Sequence, residues 1–147
     1  MTTIDHRPAY DLARLSGVRR KRMLAFLIDF TLVLLISLAL GVVVFFLGLI
    51  TLGLGWALYG GIFPTVAVLY SGFSIANHSA TPGMRSAGLI FTTDTGQRPG
   101  FLIGAMHVIL FYVTVSFTGG IVLLLTFFNS RKRLLHDMLV GATVENA

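Results

Sequence analysis

Long apolar runs separated by short polar breaks dominate this chain. Residues 23–50, 56–76 and 101–128 are almost entirely hydrophobic, and the breaks lie at 51–55 and 77–100. A helix needs about 20 apolar residues to cross the roughly 30 Å hydrocarbon core of a bilayer. The pattern therefore predicts an all-α integral membrane protein with three to four membrane segments.

The first two segments, 23–50 and 56–76, are joined by a glycine-containing turn at 51–55. A turn this short predicts an antiparallel pair of helices. Trp56 lies at the start of the second segment, where amphipathic rings meet the membrane interface. Pro64 inside that segment predicts a kink.

The polar break at 77–100 is long enough to hold structure of its own. Leu89-Ile90-Phe91-Thr92-Thr93 is rich in β-branched and aromatic residues, and Asp94-Thr95-Gly96 follows it with a turn signal. This combination is typical of a strand that enters a hairpin. We expect a small cytoplasmic β-hairpin within the loop.

The third apolar region admits two interpretations. A break at Gly119-Gly120 favours short segments at 101–117 and 120–128 that enter and return as a re-entrant hairpin. A single span fits the length better, but it places the basic run at 131–133 opposite the other basic clusters, against the positive-inside tendency. The charge layout favours the hairpin, followed by an interfacial amphipathic helix over 129–140.

The remaining organisation follows from these segments. A tail at 1–18 lacks apolar periodicity, so the membrane domain is expected over 19–144, with a short tail at 145–147. Gly100 and Gly104 form a pair of small residues at a spacing typical of helix packing in membranes.

Charge is sparse and clustered. Of eleven Lys and Arg residues, six lie within 7–22, two in the polar loop and three at 131–133. This layout predicts an inner-membrane, multi-pass protein with a cytoplasmic N-terminus. The lipid bilayer is the expected partner. The net charge of +5 does not indicate binding to nucleic acid, because no aromatic residues are interleaved with the basic ones.

Several classes of chemistry find no support in the sequence. The absence of cysteine rules out disulfides and thiolate metal sites. The four histidines are far apart in sequence, so no metal site or cofactor is predicted. Nothing combines a nucleophile with a base or forms a phosphate-binding glycine loop, so the chain is not expected to be an enzyme.

Asp29 is the one formal charge within the first apolar segment. Burying a charge at this depth costs about 2.5–3.5 kcal/mol on insertion scales unless it is paired. Arg22 lies seven positions earlier, which on a helix is close to the same face. We therefore predict an Arg22–Asp29 pair, with Asp137 either joining it or pairing with Arg133 one turn earlier on its own helix.

Three separated blocks of sequence resemble the RDD family of membrane proteins, named for one Arg and two Asp. They are Arg22-Met23-Leu24-Ala25-Phe26-Leu27-Ile28-Asp29, Thr81-Pro82-Gly83 and Leu135-His136-Asp137. The resemblance implies that the family's Arg is Arg22 and that its two Asp are Asp29 and Asp137. The chain departs from the family pattern in three positions where a charged residue is common: Met84, His107 and Asn129.

Two functions are consistent with this pattern. One is transport of small monovalent cations coupled to protons, as the resemblance implies for some members, with Arg22, Asp29 and Asp137 as the charge network. His107 and His136 are then candidate proton relays, and because so few segments hardly enclose a path, a homo-oligomer is expected. The alternative is a membrane scaffold or assembly partner in which the same Arg and Asp residues are purely structural and His107 is a hydrogen-bonded core imidazole.

Overall fold

The computed structural model describes residues 15–119, 121 and 134–147. Within them, three helical stretches are long and apolar enough to cross a membrane: Val18–Ile50, Leu54–His78 and Phe101–Thr118. A small two-stranded antiparallel sheet accompanies them. The predicted all-α membrane fold with a small β element is thereby confirmed.

Helix α1 spans Val18–Ile50 and is 33 residues long. It begins after Gly17, whose φ of 65° is the left-handed conformation that glycine adopts without strain. The helix starts earlier than the predicted residue 23, so the basic run that includes Arg22 lies within its first turns. At about 1.5 Å per residue it is about 50 Å long, which exceeds the hydrocarbon core.

Helices α1 and α2 (Tyr59–His78) are antiparallel, as the short turn predicted. A 3₁₀ helix at Leu54–Leu58 leads into α2. The corner is tight, because a Cβ on Gly55 would lie 2.8 Å from the backbone nitrogen of Gly48. Tyr59 then donates a hydrogen bond of 2.9 Å to the carbonyl of Gly41, further back along α1.

Helix α4 (Phe101–Thr118) packs against α2 through glycines. A Cβ on Gly104 would lie 3.1 Å from the Ser71 carbonyl oxygen and 3.2 Å from Cα of Gly72. Of the predicted glycine pair, Gly104 therefore makes the close approach. Gly100 caps the start of α4, and a Cβ there would meet nothing within 4 Å.

A cap of short elements covers the end where α1 begins, α2 ends and α4 begins. It consists of helix α3 (Pro82–Ser86), strand β1 (Leu89–Thr93), helix α5 (Leu135–Val140) and strand β2 (Ala142–Asn146). The fully buried side chains of the cap pack with the buried face of α1 and α2 into one cluster: Val18, Ala25, Ile75, Leu89, Phe91, Ala142 and Val144.

The predicted strand is present, but its partner is not the neighbouring loop. β1 pairs with β2 in antiparallel register, with Leu89 opposite Asn146 and Thr93 opposite Ala142. The turn signal is used, since the Gly96 N–H donates to the Thr93 carbonyl at 2.9 Å, but the chain then runs into α4 instead of returning as a strand. Residues Ala142–Asn146 pair with β1 instead.

The sheet brings the beginning of α1 and the end of the chain together. Lys21 Nζ donates to Asn146 Oδ1 at 2.7 Å, and Asn146 Nδ2 donates to the Ser16 carbonyl at 3.0 Å. Lys21 and Asn146 therefore lie at the same end of the helices, and the number of membrane crossings stays a prediction. The predicted return segment at 120–128 and the start of the predicted 129–140 helix fall outside the described residues, apart from residue 121.

Candidate functional site

Asp29 accepts hydrogen bonds from three directions. Tyr70 of α2 donates its hydroxyl to Oδ1 at 2.6 Å, and Thr81 donates its hydroxyl to Oδ2 at 2.5 Å. The backbone N–H of Gly83 also donates to Oδ1, at 2.8 Å. One carboxylate in α1 thus links α1 to α2 and to α3. These hydrogen bonds offset the cost of placing an ionisable side chain within an apolar helix.

The backbone at Gly83 approaches α1 so closely that no side chain fits. A Cβ there would lie 2.2 Å from the Ala25 carbonyl oxygen and 2.6 Å from Cγ of Asp29. Thr81 caps α3 by accepting a hydrogen bond from the Met84 N–H at 3.2 Å, and Pro82 occupies the first turn, where its missing N–H costs nothing. The Thr-Pro-Gly block therefore builds the socket that receives Asp29.

An open, mostly apolar groove of about 410 Å³ lies between α1 and α2 and has Tyr70 in common with the Asp29 socket. Tyr70 lines the groove while its hydroxyl group bonds to Asp29. Ser74 is the other polar residue in the lining. The Asp29 socket therefore adjoins a surface depression within the membrane-spanning part of the molecule.

Arg22 pairs with Asp137 and not with Asp29. Its Nη1 lies 2.5 Å from Asp137 Oδ2, and Nη2 donates to the Val144 carbonyl at 3.4 Å. The predicted Arg22–Asp29 pair is therefore wrong. Helical periodicity puts the two residues on one face but about two turns apart, and Asp29 already accepts from Tyr70, Thr81 and Gly83.

Asp137 is completely buried at the start of α5. The Leu134 N–H donates to its Oδ2 at 3.0 Å. Burial has the largest single effect and raises the pKa of this carboxyl, but the Arg22 guanidinium, the two nearby imidazoles and the Leu134 N–H together outweigh it and hold the pKa below its usual range. Asp137 is thus a buried anion that faces a cation on one oxygen.

The other oxygen of Asp137 faces two histidines. Oδ1 lies 3.4 Å from Nδ1 of His107 on α4 and 3.5 Å from Nε2 of His136 on α5. Aromatic rings of Phe91 and Phe111 pack on these imidazoles at centroid distances of 4.9 and 5.1 Å. Burial lowers the pKa of His136, which favours its neutral form.

Four buried polar atoms in this cluster have no hydrogen-bond partner in the described part of the chain: Arg22 Nε, His107 Nδ1, His136 Nδ1 and Asp137 Oδ1. Leaving such an atom unsatisfied typically costs about 1–3 kcal/mol. The structure thus brings together Arg22, Asp137 and both candidate relay histidines, and it sets Asp29 apart from them. The relay role itself stays a prediction.

Sequence reasoning missed the hydroxyl partners of Asp29. No local sequence signal marks Tyr70 as a partner of Asp29, and Thr81 stood out only as part of the Thr81-Pro82-Gly83 block. It also missed the approach of His107 to His136, because sequence spacing reveals metal or relay sets only when they are local. The blocks that resemble the family contain Arg22, Asp29 and Asp137, and each of these residues makes side-chain hydrogen bonds in the structure, while their functional role stays a prediction.

These features define a class: a multi-pass α-helical membrane protein with two polar sites built around carboxylates at one end of its helices. The sequence model of the RDD family matches residues 17–141. The chain therefore belongs to the RDD family, whose members are membrane proteins. No curated protein and no solved structure matches the chain.

Proposed function

We propose that this protein exchanges small monovalent cations for protons across the membrane, with the Asp29 carboxylate as the exchanging group. The observation that carries the proposal is the set of oxygen atoms around that carboxylate. Tyr70 and Thr81 bring hydroxyl oxygens within 2.6 and 2.5 Å of its two oxygens. Hard cations prefer oxygen ligands of this kind.

The two hydroxyl groups can serve the site both when it is empty and when a cation is bound. A hydroxyl carries one donor hydrogen and two acceptor lone pairs, and the hydrogen rotates to suit its partner. Both hydroxyls donate to Asp29 in the structure. With a cation bound, they turn lone pairs toward it, so that Asp29, Tyr70 and Thr81 together supply two carboxylate and two hydroxyl oxygens.

The surroundings of the socket support the same function. The Gly83 N–H stays on Oδ1 and holds the carboxylate in place when the cation leaves. Tyr70 connects the socket to the groove between α1 and α2. The three described spans do not enclose a path by themselves, so the proposal includes a homo-oligomer in which this groove faces another copy.

A flux assay in proteoliposomes tests the proposal. The full-length protein is reconstituted into vesicles that contain a pH-sensitive dye, and gradients of Na⁺, K⁺ and Li⁺ are imposed in turn. Exchange predicts a pH change opposite in direction to the cation flow. Proton movement no faster than in protein-free vesicles, for all three cations, would exclude the proposed exchange.

Two tyrosines on the same helix provide a matched pair of variants. Tyr70→Phe removes a hydrogen bond to a charged group, worth about 1.5–3 kcal/mol, so exchange should slow by about tenfold or more. Tyr59→Phe removes a hydroxyl that bonds to the Gly41 carbonyl at the other end of α2 and should leave the rate unchanged. Equal exchange rates for the two variants would show that the hydrogen bond between Tyr70 and Asp29 plays no part in the exchange.

A second candidate function, a membrane scaffold, is favoured by one specific observation. Asp29 and Asp137 each fasten segments that are distant in sequence, and the Gly83 contact leaves no room for a Cβ. A purely structural network predicts that Asp29→Asn destabilises the fold while the wild-type protein carries no ions. The flux assay on wild-type protein, combined with thermal unfolding of the variant, distinguishes the two functions.

A further inference from the structure

The cluster around Asp137 presents three candidate metal ligands from two helices. His107 Nδ1 lies 3.4 Å from Asp137 Oδ1, and His136 Nε2 lies 3.5 Å from the same oxygen. One ligand atom from each of the three residues lies within 4.8 Å of the others. We propose that His107, His136 and Asp137 bind a divalent transition-metal ion of the Zn²⁺ type where α4 meets α5.

Two of the three separations between ligand atoms fit such an ion, and the two imidazole nitrogens, which lie within 4.8 Å of each other, would draw closer on binding. Metal–ligand bonds of about 2.0–2.1 Å at tetrahedral angles place neighbouring ligand atoms about 3.3 Å apart. The observed 3.4 and 3.5 Å are within a few tenths of an ångström of that value. Three protein ligands leave a fourth position open to water or to another ligand.

The cluster also has unsatisfied atoms that an ion would satisfy. Asp137 is fully buried and His136 is 2% exposed, yet Asp137 Oδ1 and His107 Nδ1 have no hydrogen-bond partner within the described residues. A metal ion takes lone pairs from both atoms at once. The His107 side chain is 13% exposed, although its Nδ1 atom is buried.

The second oxygen of Asp137 is held as ligating carboxylates usually are. Outer partners orient metal ligands and tune their affinity, and Arg22 Nη1 and the Leu134 N–H both bind Oδ2. The guanidinium also holds the carboxylate in its charged form, although its own positive charge weakens the binding of a cation. Phe91 and Phe111 form an apolar shell around the imidazoles.

The ligand types distinguish this site from the Asp29 socket. Imidazole nitrogens suit Zn²⁺, Cu²⁺, Fe²⁺ and Ni²⁺, whereas oxygen-only sets suit hard cations. Asp29 with Tyr70 and Thr81 is an oxygen set, and the Asp137 cluster is mixed. The metal site would fasten α5 to α4 and, through Arg22, to α1, so its occupancy would control how firmly the cap is attached.

Metal binding by the full-length protein tests the inference. The protein is purified in detergent with a histidine-free tag, stripped with a chelator and dialysed against Zn²⁺ at increasing concentration; Co²⁺ absorption then reports the coordination geometry. We expect about one ion per chain, a Co²⁺ spectrum typical of nitrogen and oxygen ligands, and a rise in the thermal unfolding temperature with Zn²⁺.

Two histidine variants provide the contrast. His107→Gln should weaken Zn²⁺ binding by at least about tenfold and abolish the Zn²⁺-dependent rise in unfolding temperature. His78→Gln, at an exposed position at the end of α2, should change neither. If His107→Gln fails to fold, His136→Gln is measured in the same way.

Three results would overturn the inference. They are the absence of Zn²⁺ binding by the wild-type protein, equal binding by the His107 and His78 variants, and binding that leaves the unfolding temperature unchanged. The site is independent of the proposed exchange, because Asp29→Asn should retain Zn²⁺ binding whether or not the protein carries monovalent cations.

Discussion

Asp29 and Asp137 are both carboxylates at the capped end of the helices, but their partners differ in kind. Asp29 accepts from two hydroxyls and one backbone N–H. Asp137 has a guanidinium on one oxygen and two imidazoles beside the other. The cost of burying a carboxylate is therefore offset by neutral hydrogen-bond donors at Asp29 and mainly by a cation at Asp137.

Double-mutant cycles distinguish these two arrangements. Asp137→Asn alone leaves Arg22 without its counter-charge, and breaking a buried pair typically costs about 3–5 kcal/mol. Combining it with Arg22→Gln should recover part of that loss, whereas Asp29→Asn with Arg22→Gln should be additive to within about 0.5 kcal/mol. Free energies of unfolding are measured in mixed micelles with chelator present; additivity in the Asp137 cycle would contradict the observed pair.

The Gly83 contact predicts an effect from a single methyl group. Gly83→Ala forces a Cβ against the Ala25 carbonyl and Asp29, so it should destabilise the protein by about 3 kcal/mol or more. Gly60→Ala is the control, because a Cβ there meets nothing within 4 Å, and alanine favours a helix over glycine by about 0.5–1 kcal/mol. Equal unfolding temperatures for the two variants would show that the close approach is absent.

Among the elements, strand β1 is the one whose pairing partner was wrongly predicted from the sequence. Its strand β1 joins the polar loop to the last residues of the chain, with Ile90 opposite Glu145. Directly opposite residues in an antiparallel pair have Cα atoms about 4.5–5.5 Å apart, which is within the reach of a disulfide. A chain without cysteine allows this register to be tested cleanly.

Paired cysteines test the strand pairing. Ile90→Cys with Glu145→Cys should form an intramolecular disulfide under mild oxidation, detected as a shift in gel mobility that a reductant reverses. Ile90→Cys with Thr143→Cys is the matched control, because a diagonal pair is about 7–8 Å apart and largely out of reach. Preferential cross-linking of the control pair would mean a different register.

Local signals explain how much of this fold and site could be predicted. The three apolar helices were expected because continuous hydrophobic runs are local and long. The β1 partner was not, since β2 lies some fifty residues away and nothing near Gly96 encodes it; Thr92 and Thr143, in contact across the sheet, are 51 residues apart. Likewise, helical spacing showed only that Arg22 and Asp29 share a face. The residue that pairs with Arg22 is Asp137, which is 115 positions away in the sequence.

For the whole molecule, the cap implies that both ends of the described chain lie on one side of the membrane. Lys21 and Ser16 contact Asn146 directly. The basic run in the first turns of α1 makes the cytoplasm the expected side.

Reporter tags test that sidedness. Tags after Met1, within Asp94-Thr95-Gly96 and after Ala147 should all report the cytoplasm when assayed by accessibility in intact and permeabilised cells. A C-terminal tag on the opposite side from the other two would be incompatible with the β1–β2 sheet.

The Arg22–Asp137 contact also sets an order of events during biosynthesis. The two residues are 115 positions apart, so at about 5–20 residues per second the guanidinium waits on the order of ten seconds for its carboxylate. α1 and α2 are synthesised in that interval, and the Asp29 socket is complete once Gly83 has emerged. The cap can close only after Asp137 and strand β2 have emerged, so a ribosome that stalls before Asp137 leaves α1, α2 and α4 synthesised and Arg22 without its carboxylate.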